Sequence, residues 1–208
     1  MSNASDPPSI RYLALGDSYT IGESVSPQER YPVLLSVFLE KNGYQVQHSI
    51  VATTGWTTQN LEEGLANAGI EGKKYDLVSL LIGVNNQFQG RSEEEYKTQF
   101  TQLLLGAVEF ANGNSKKVFV ISIPDYGYTP YGRDKASQIS PQIDLFNQVN
   151  KQVTDSLGIL YVDITPLSRK GLSDPNLVAS DGLHPSGLQY AQWVELMQQK
   201  VLPLVKAK

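Results

Sequence analysis

Short runs of the chain are apolar at nearly every position: Tyr12 to Leu15, Leu77 to Ile82 and Val118 to Ile123. Each follows polar residues and ends at or just before Gly or Pro, the pattern of strands buried on both faces. Between them apolar residues recur with a helical period: Tyr31, Leu34, Leu35, Phe38 and Leu39 in one segment, Tyr96, Phe100, Leu103, Leu104 and Ala107 in another. Weaker strands are expected at Tyr44 to Val51 and Ile159 to Asp163, and further helices around 58–68, 141–157 and 187–205. The last helix would align Tyr190, Val194, Met197, Val201 and Leu204 on one stripe.

About five strands alternating with about five helices require parallel pairing through right-handed crossovers. The expected fold is α/β, a three-layer α/β/α sandwich with helices on both faces of the sheet. Ligands in such sheets bind beyond the carboxyl ends of the strands, so those ends are where chemistry is to be sought. The Gly/Tyr/Pro-rich stretch 124–133 reads as a long loop after the fourth strand.

Composition narrows the options. A chain of 208 residues fits one globular domain, expected over 10–206, with 1–9 as a disordered tail in which Ser2-Asn3-Ala4 looks like an expression-vector scar. Its 40% hydrophobic and 18% charged residues suit a folded soluble protein, and no apolar run approaches a bilayer span. A net charge of -4 with no basic tract disfavours nucleic acid as a partner. Met1 to Ser9 has no apolar signal core, but a signal peptide trimmed ahead of a vector scar would leave the same start, so localisation and oligomeric state stay unassigned. Zero Cys removes disulfides, thiolate metal sites and a Cys nucleophile, and the 2 His, His48 and His184, are the only imidazoles available.

Gly16-Asp17-Ser18-Tyr19-Thr20 follows the first strand, where the glycine permits a sharp turn and Ser18 meets free backbone N–H groups. Taken alone it fits a nucleophile and a helix cap equally. Asp181-Gly182-Leu183-His184-Pro185 puts a carboxylate three residues before an imidazole; the acid can hold Nδ1 and leave Nε2 as a general base. The alternative is a surface turn capped by Asp181. His48 has no acid nearby in sequence and reads as structural. Gly55, in Thr53-Thr54-Gly55-Trp56-Thr57, can present a bare N–H, and Asn85, in Gly83-Val84-Asn85-Asn86, can add a side-chain amide. Each is also an ordinary turn residue when considered alone.

Taken together, Gly16-Asp17-Ser18, Gly55, Gly83-Val84-Asn85 and Asp181-Gly182-Leu183-His184-Pro185 resemble the four sequence blocks of the SGNH, or GDSL-type, hydrolases, in their usual order and over nearly the whole chain. The resemblance implies a flavodoxin-like sandwich and a serine esterase that needs no cofactor and no metal. It implies Ser18 as nucleophile, His184 as base and Asp181 as the acid orienting it. It further implies an oxyanion hole of the Ser18 N–H, the Gly55 N–H and the Asn85 side chain, with a small-molecule ester as substrate. Tyr19 stands where the family name has Leu, and Asn86 where the third block often has Asp.

Two other readings compete. Asp17, Asp125 and Asp163 each follow a strand and could gather around Mg²⁺ in a metal-dependent phosphoesterase, although none lies in a D-x-D pair. A non-catalytic carbohydrate-binding module would use Tyr126, Tyr128 and Tyr131 as an aromatic platform but leave Asp181 and His184 idle. The 124–133 loop, with Arg133, and Trp56 are each either pocket lining or plain surface and core.

Overall fold

The computed structural model describes residues 6–206. In chain order the elements are β1 (Ser9–Gly16), α1 (Ser18–Ile21), α2 (Tyr31–Lys41), β2 (Gln45–Ala52), α3 (Thr58–Asn67), β3 (Leu77–Leu81), α4 (Val84–Phe88), α5 (Glu93–Phe110), β4 (Val118–Ile121), α6 (Ala136–Ser156), β5 (Leu160–Val162), α7 (Thr165–Ser168) and α8 (Gly187–Lys206). The strands form one 5-stranded sheet in the order β2-β1-β3-β4-β5. All four pairings are parallel. This is the flavodoxin-like order, with the topology switching between β1 and β3.

The apolar runs account for the arrangement. β3 and β4 are buried at every position, as central strands covered on both faces must be. Ser79, the polar exception in β3, is buried but satisfied by the Tyr12 hydroxyl at 2.8 Å and the Tyr31 hydroxyl at 3.3 Å. α2 packs against α8 on one face of the sheet, while α5 packs against α3 and α6 on the other. The helix starts are written in the sequence: Ser92 caps α5 ahead of Glu93, Glu94 and Glu95, and Thr57 with Asn60 forms a capping box on α3.

The structure differs from the sequence expectation in three places. The sheet begins at Ser9, and the Pro8 carbonyl accepts from the Gln45 N–H at 2.9 Å, so the ordered chain starts before residue 10; residues 1–5 of the expected tail lie outside the described residues. α6 starts at Ala136 instead of 141, with Pro141 inside the helix. The proline removes only one intrahelical donor there, close to an end where the first N–H groups lack helical partners anyway. Finally, α1, α4 and α7 have 4, 5 and 4 residues, too short to show a period in sequence.

Candidate active site

The site is built on the carboxyl ends of β1, β2 and β3 and on the loop before α8. Gly16 closes β1 because nothing larger fits: a Cβ there would lie 2.1 Å from Thr20 Oγ1 and 2.3 Å from the Leu81 carbonyl oxygen. Asp17 then caps α1, its Oδ1 accepting the Tyr19 N–H at 3.0 Å. Its carboxyl is fully buried and Oδ2 has no hydrogen-bond partner among the described residues. Burial pushes this acid up to about 7, against the opposing Tyr19 N–H. Ser18 opens α1 and is buried but for one side, which faces a cavity of about 150 Å³.

The same cavity is lined by Gly55, Asn85 and His184. Gly55 adopts φ 85°, a left-handed conformation that leaves its backbone unshielded. Asn85, on α4, donates through Nδ2 to the Trp56 carbonyl at 2.9 Å. Asn86 ties the two segments from beneath: its Oδ1 accepts the Thr58 N–H at 3.0 Å and its Nδ2 donates to Thr58 Oγ1 at 2.7 Å. The Thr58 hydroxyl proton goes to Gln99 Oε1. Asn86 must therefore donate as well as accept, which an ionised aspartate does not do.

His184 Nδ1 lies 2.6 Å from Asp181 Oδ2. Asp181 Oδ1 accepts the Leu183 N–H at 2.9 Å and the His184 N–H at 3.0 Å, so the loop folds around the carboxylate. Desolvation raises this acid, but the His184 ring, the Ser24 hydroxyl and the two backbone N–H groups outweigh it and lower it to about 2. The His184 ring is nearly buried, 5.3 Å from the Tyr19 ring centre to centre. Among the described residues the Ser18 hydroxyl makes no hydrogen bond, to His184 or to any other group.

Tyr19, Thr54, Val84, Phe88, Tyr126, Tyr131 and Leu183 complete the lining. Phe88 is 59% exposed and Tyr131 57%, so both stand at the rim. In the 124–133 loop the structure brings Tyr126 and Tyr131 to the cavity and turns Tyr128 toward the Arg169 guanidinium, 5.8 Å from its ring centroid. Arg133 pairs with its neighbour Asp134 at the surface. The Trp56 ring packs on α3, where a Cβ at Gly64 would fall 2.1 Å from it, and lines a separate open groove of about 750 Å³ between β2 and α3. None of the motif groups reaches that groove. His48 is exposed on the edge strand, with Nδ1 3.3 Å from Ser36 Oγ.

The three strand-end aspartates have separate partners. Asp17 caps α1, Asp125 accepts from Arg169 Nε at 2.9 Å, and Asp163 accepts from the Ser122 hydroxyl at 3.1 Å. Among the described residues no three acid or imidazole side chains form a cluster suited to a metal ion. No helix among them is long and apolar enough to cross a membrane.

A parallel α/β/α sandwich with its polar site beyond β1, β2 and β3 is the architecture of the SGNH hydrolases. The chain belongs to the GDSL-like lipase/acylhydrolase family, whose sequence model matches residues 14–192, and it is a carboxylic ester hydrolase. Solved structures share the fold. The psychrotrophic esterase EstA from Pseudoalteromonas sp. is 16% identical with a TM-score of 0.71, covering 95% of this chain and 99% of its own. The lipase/acylhydrolase from Enterococcus faecalis is 20% identical with a TM-score of 0.73, covering 93% and 96%. Axe2, an acetylxylan esterase from Geobacillus stearothermophilus, is 20% identical with a TM-score of 0.66, covering 98% and 97%. No curated protein sequence matches the chain.

Proposed function

We propose that the protein hydrolyses small, uncharged carboxylic esters through an acyl-enzyme on Ser18. The observation that carries this reading is the Asp181–His184 contact of 2.6 Å on a cavity shared with Ser18. Asp181 holds the Nδ1 proton, which leaves Nε2 free to take the proton of Ser18 as Oγ attacks the ester carbonyl. The Ser18 and Gly55 backbone N–H groups and the second N–H of the Asn85 amide stabilise the tetrahedral oxyanion. The alcohol departs with the proton from His184. Water, activated by the same imidazole, then releases the carboxylic acid and restores Ser18.

The lining supports the substrate class. Among the described residues no Asp, Glu, Lys or Arg lines the cavity, and about 150 Å³ suits a short acyl chain better than a lipid tail. The exposed Phe88 and Tyr131 rings offer flat apolar faces on which the alcohol part, a sugar or aryl ring, can stack. Acetylated sugars are one natural form of such an ester, and Axe2 bears the name of an acetylxylan esterase. p-Nitrophenyl esters graded by chain length, assayed beside acetylated xylo-oligosaccharide and a lysolipid, test this reading: activity should fall steeply beyond short acyl chains. Preference for the lysolipid would overturn the substrate class, and full activity of Ser18→Ala would overturn the nucleophile.

A further inference from the structure

Immediately after α1 the chain turns back at Gly22, φ 75°, and brings Glu23 to Thr54 and Ser24 to Asp181. Ser24 donates through Oγ to Asp181 Oδ2 at 2.7 Å, the same oxygen that receives His184 Nδ1. Its neighbour Glu23 accepts, through Oε2, the hydroxyl proton of Thr54, the residue before Gly55. Ser24 does this with φ 65°, a left-handed conformation that a non-glycine residue adopts at a cost, so the turn is held by its contacts against local preference. The Gly22 N–H and the Glu23 N–H both return to the Ser18 carbonyl at 3.0 Å, which fastens the turn to the helix carrying the serine.

We infer that Glu23 and Ser24 are positioning residues, a two-armed brace that fixes the oxyanion loop and the Asp181 carboxylate relative to Ser18. The inference rests on the acid–base reading above and adds two residues that lie outside the four sequence blocks. One arm acts through Asp181: the Ser24 hydroxyl occupies a lone pair of Oδ2 and so limits both the carboxylate's rotation and its pull on the imidazole proton. The other acts through Thr54 on the direction of the Gly55 N–H. Neither residue itself lines the cavity, so loss of either should lower kcat and leave KM nearly unchanged.

The two arms are separable by experiment. Ser24→Ala and Ser24→Gly both remove the hydroxyl, and the glycine variant is also at ease at φ 65°, so agreement between them isolates the hydrogen bond from backbone strain. Each should lower kcat about 3- to 10-fold, the equivalent of one modest hydrogen bond. Each should also shift the His184 Nδ1 proton resonance in the NMR spectrum, readily assigned because the only other imidazole is His48. Glu23→Gln should lower kcat to a similar degree and leave that resonance in place. Unchanged kcat in all three variants, or an unmoved resonance in both Ser24 variants, overturns the brace. His184→Ala is run alongside: if it keeps wild-type activity the acid–base reading itself fails, and if it is inactive while the Ser24 and Glu23 variants behave as wild type, only the brace fails.

Discussion

The Asn85 amide donates to the Trp56 carbonyl at 2.9 Å, which joins the end of β3 to the loop after β2. One N–H of Nδ2 is thereby committed, and the side chain, which lines the cavity, is held in a fixed direction. A donor fixed before the reaction stabilises developing negative charge with little reorganisation.

Asn85→Ala should therefore reduce kcat by about 100-fold or more with little change in KM, since the lost interaction forms chiefly in the transition state. Steady-state kinetics on p-nitrophenyl acetate decide it. A rise in KM at unchanged kcat would instead make Asn85 a ground-state binding residue.

Ser18→Ala and His184→Ala should each lower kcat by at least about 10³-fold while thermal unfolding changes little. A fluorophosphonate probe should label the wild type and fail on Ser18→Ala, read by intact-protein mass spectrometry. Labelling of the alanine variant would move the nucleophile elsewhere.

Gly55→Ala tests backbone conformation in isolation, because a Cβ there meets no atom within 4 Å and the penalty comes from φ 85° alone. The variant should lose about 1–2 kcal/mol of stability in urea titration, or relax the loop and lose kcat. Wild-type stability together with wild-type kcat would show that the left-handed conformation at residue 55 costs alanine nothing.

Asp17 gives a pH-dependent prediction. Its carboxyl sits at about 7 in the folded protein against 3.8 for the free side chain, so folding favours its protonated form. The sign follows: its contribution to stability is complete below about pH 3.8 and is lost as pH rises to 7, after which a charge is buried without a full set of partners. Asp17→Asn removes that charge and keeps an acceptor for the Tyr19 N–H. It should raise the unfolding free energy at pH 8, by an amount on the order of 4 kcal/mol at most, and give little gain at pH 4. Equal effects at both pH values would place the pKa of Asp17 near its ordinary value.

Much of this molecule could be read without coordinates. β3 and β4 are legible because continuous apolar runs have few other uses in a chain of this composition, and Ser18, Gly55, Asn85, Asp181 and His184 stand out as candidates because each lies just after an expected strand or before the last helix. The start of α6 was not, because Pro141 is a familiar first residue of a helix and nothing local shows that five residues precede it in the same helix. Tyr128 and Tyr131 look alike in sequence, yet one turns toward Arg169 and the other reaches the rim of the cavity.

The sequence by itself determined which residue types stand at the strand ends and in what order, since periodicity, turn chemistry and motif spacing are local properties of the chain. Only the tertiary structure decided that Ser24 meets a carboxylate 157 positions away, that Asn86 needs an amide because Thr58 has already given its proton to Gln99, and that Phe88 and Tyr131 share one rim. Such contacts depend on how the two helical layers and their loops settle over the sheet. That packing is fixed by the sum of many weak interactions across the whole core, and no short segment carries it.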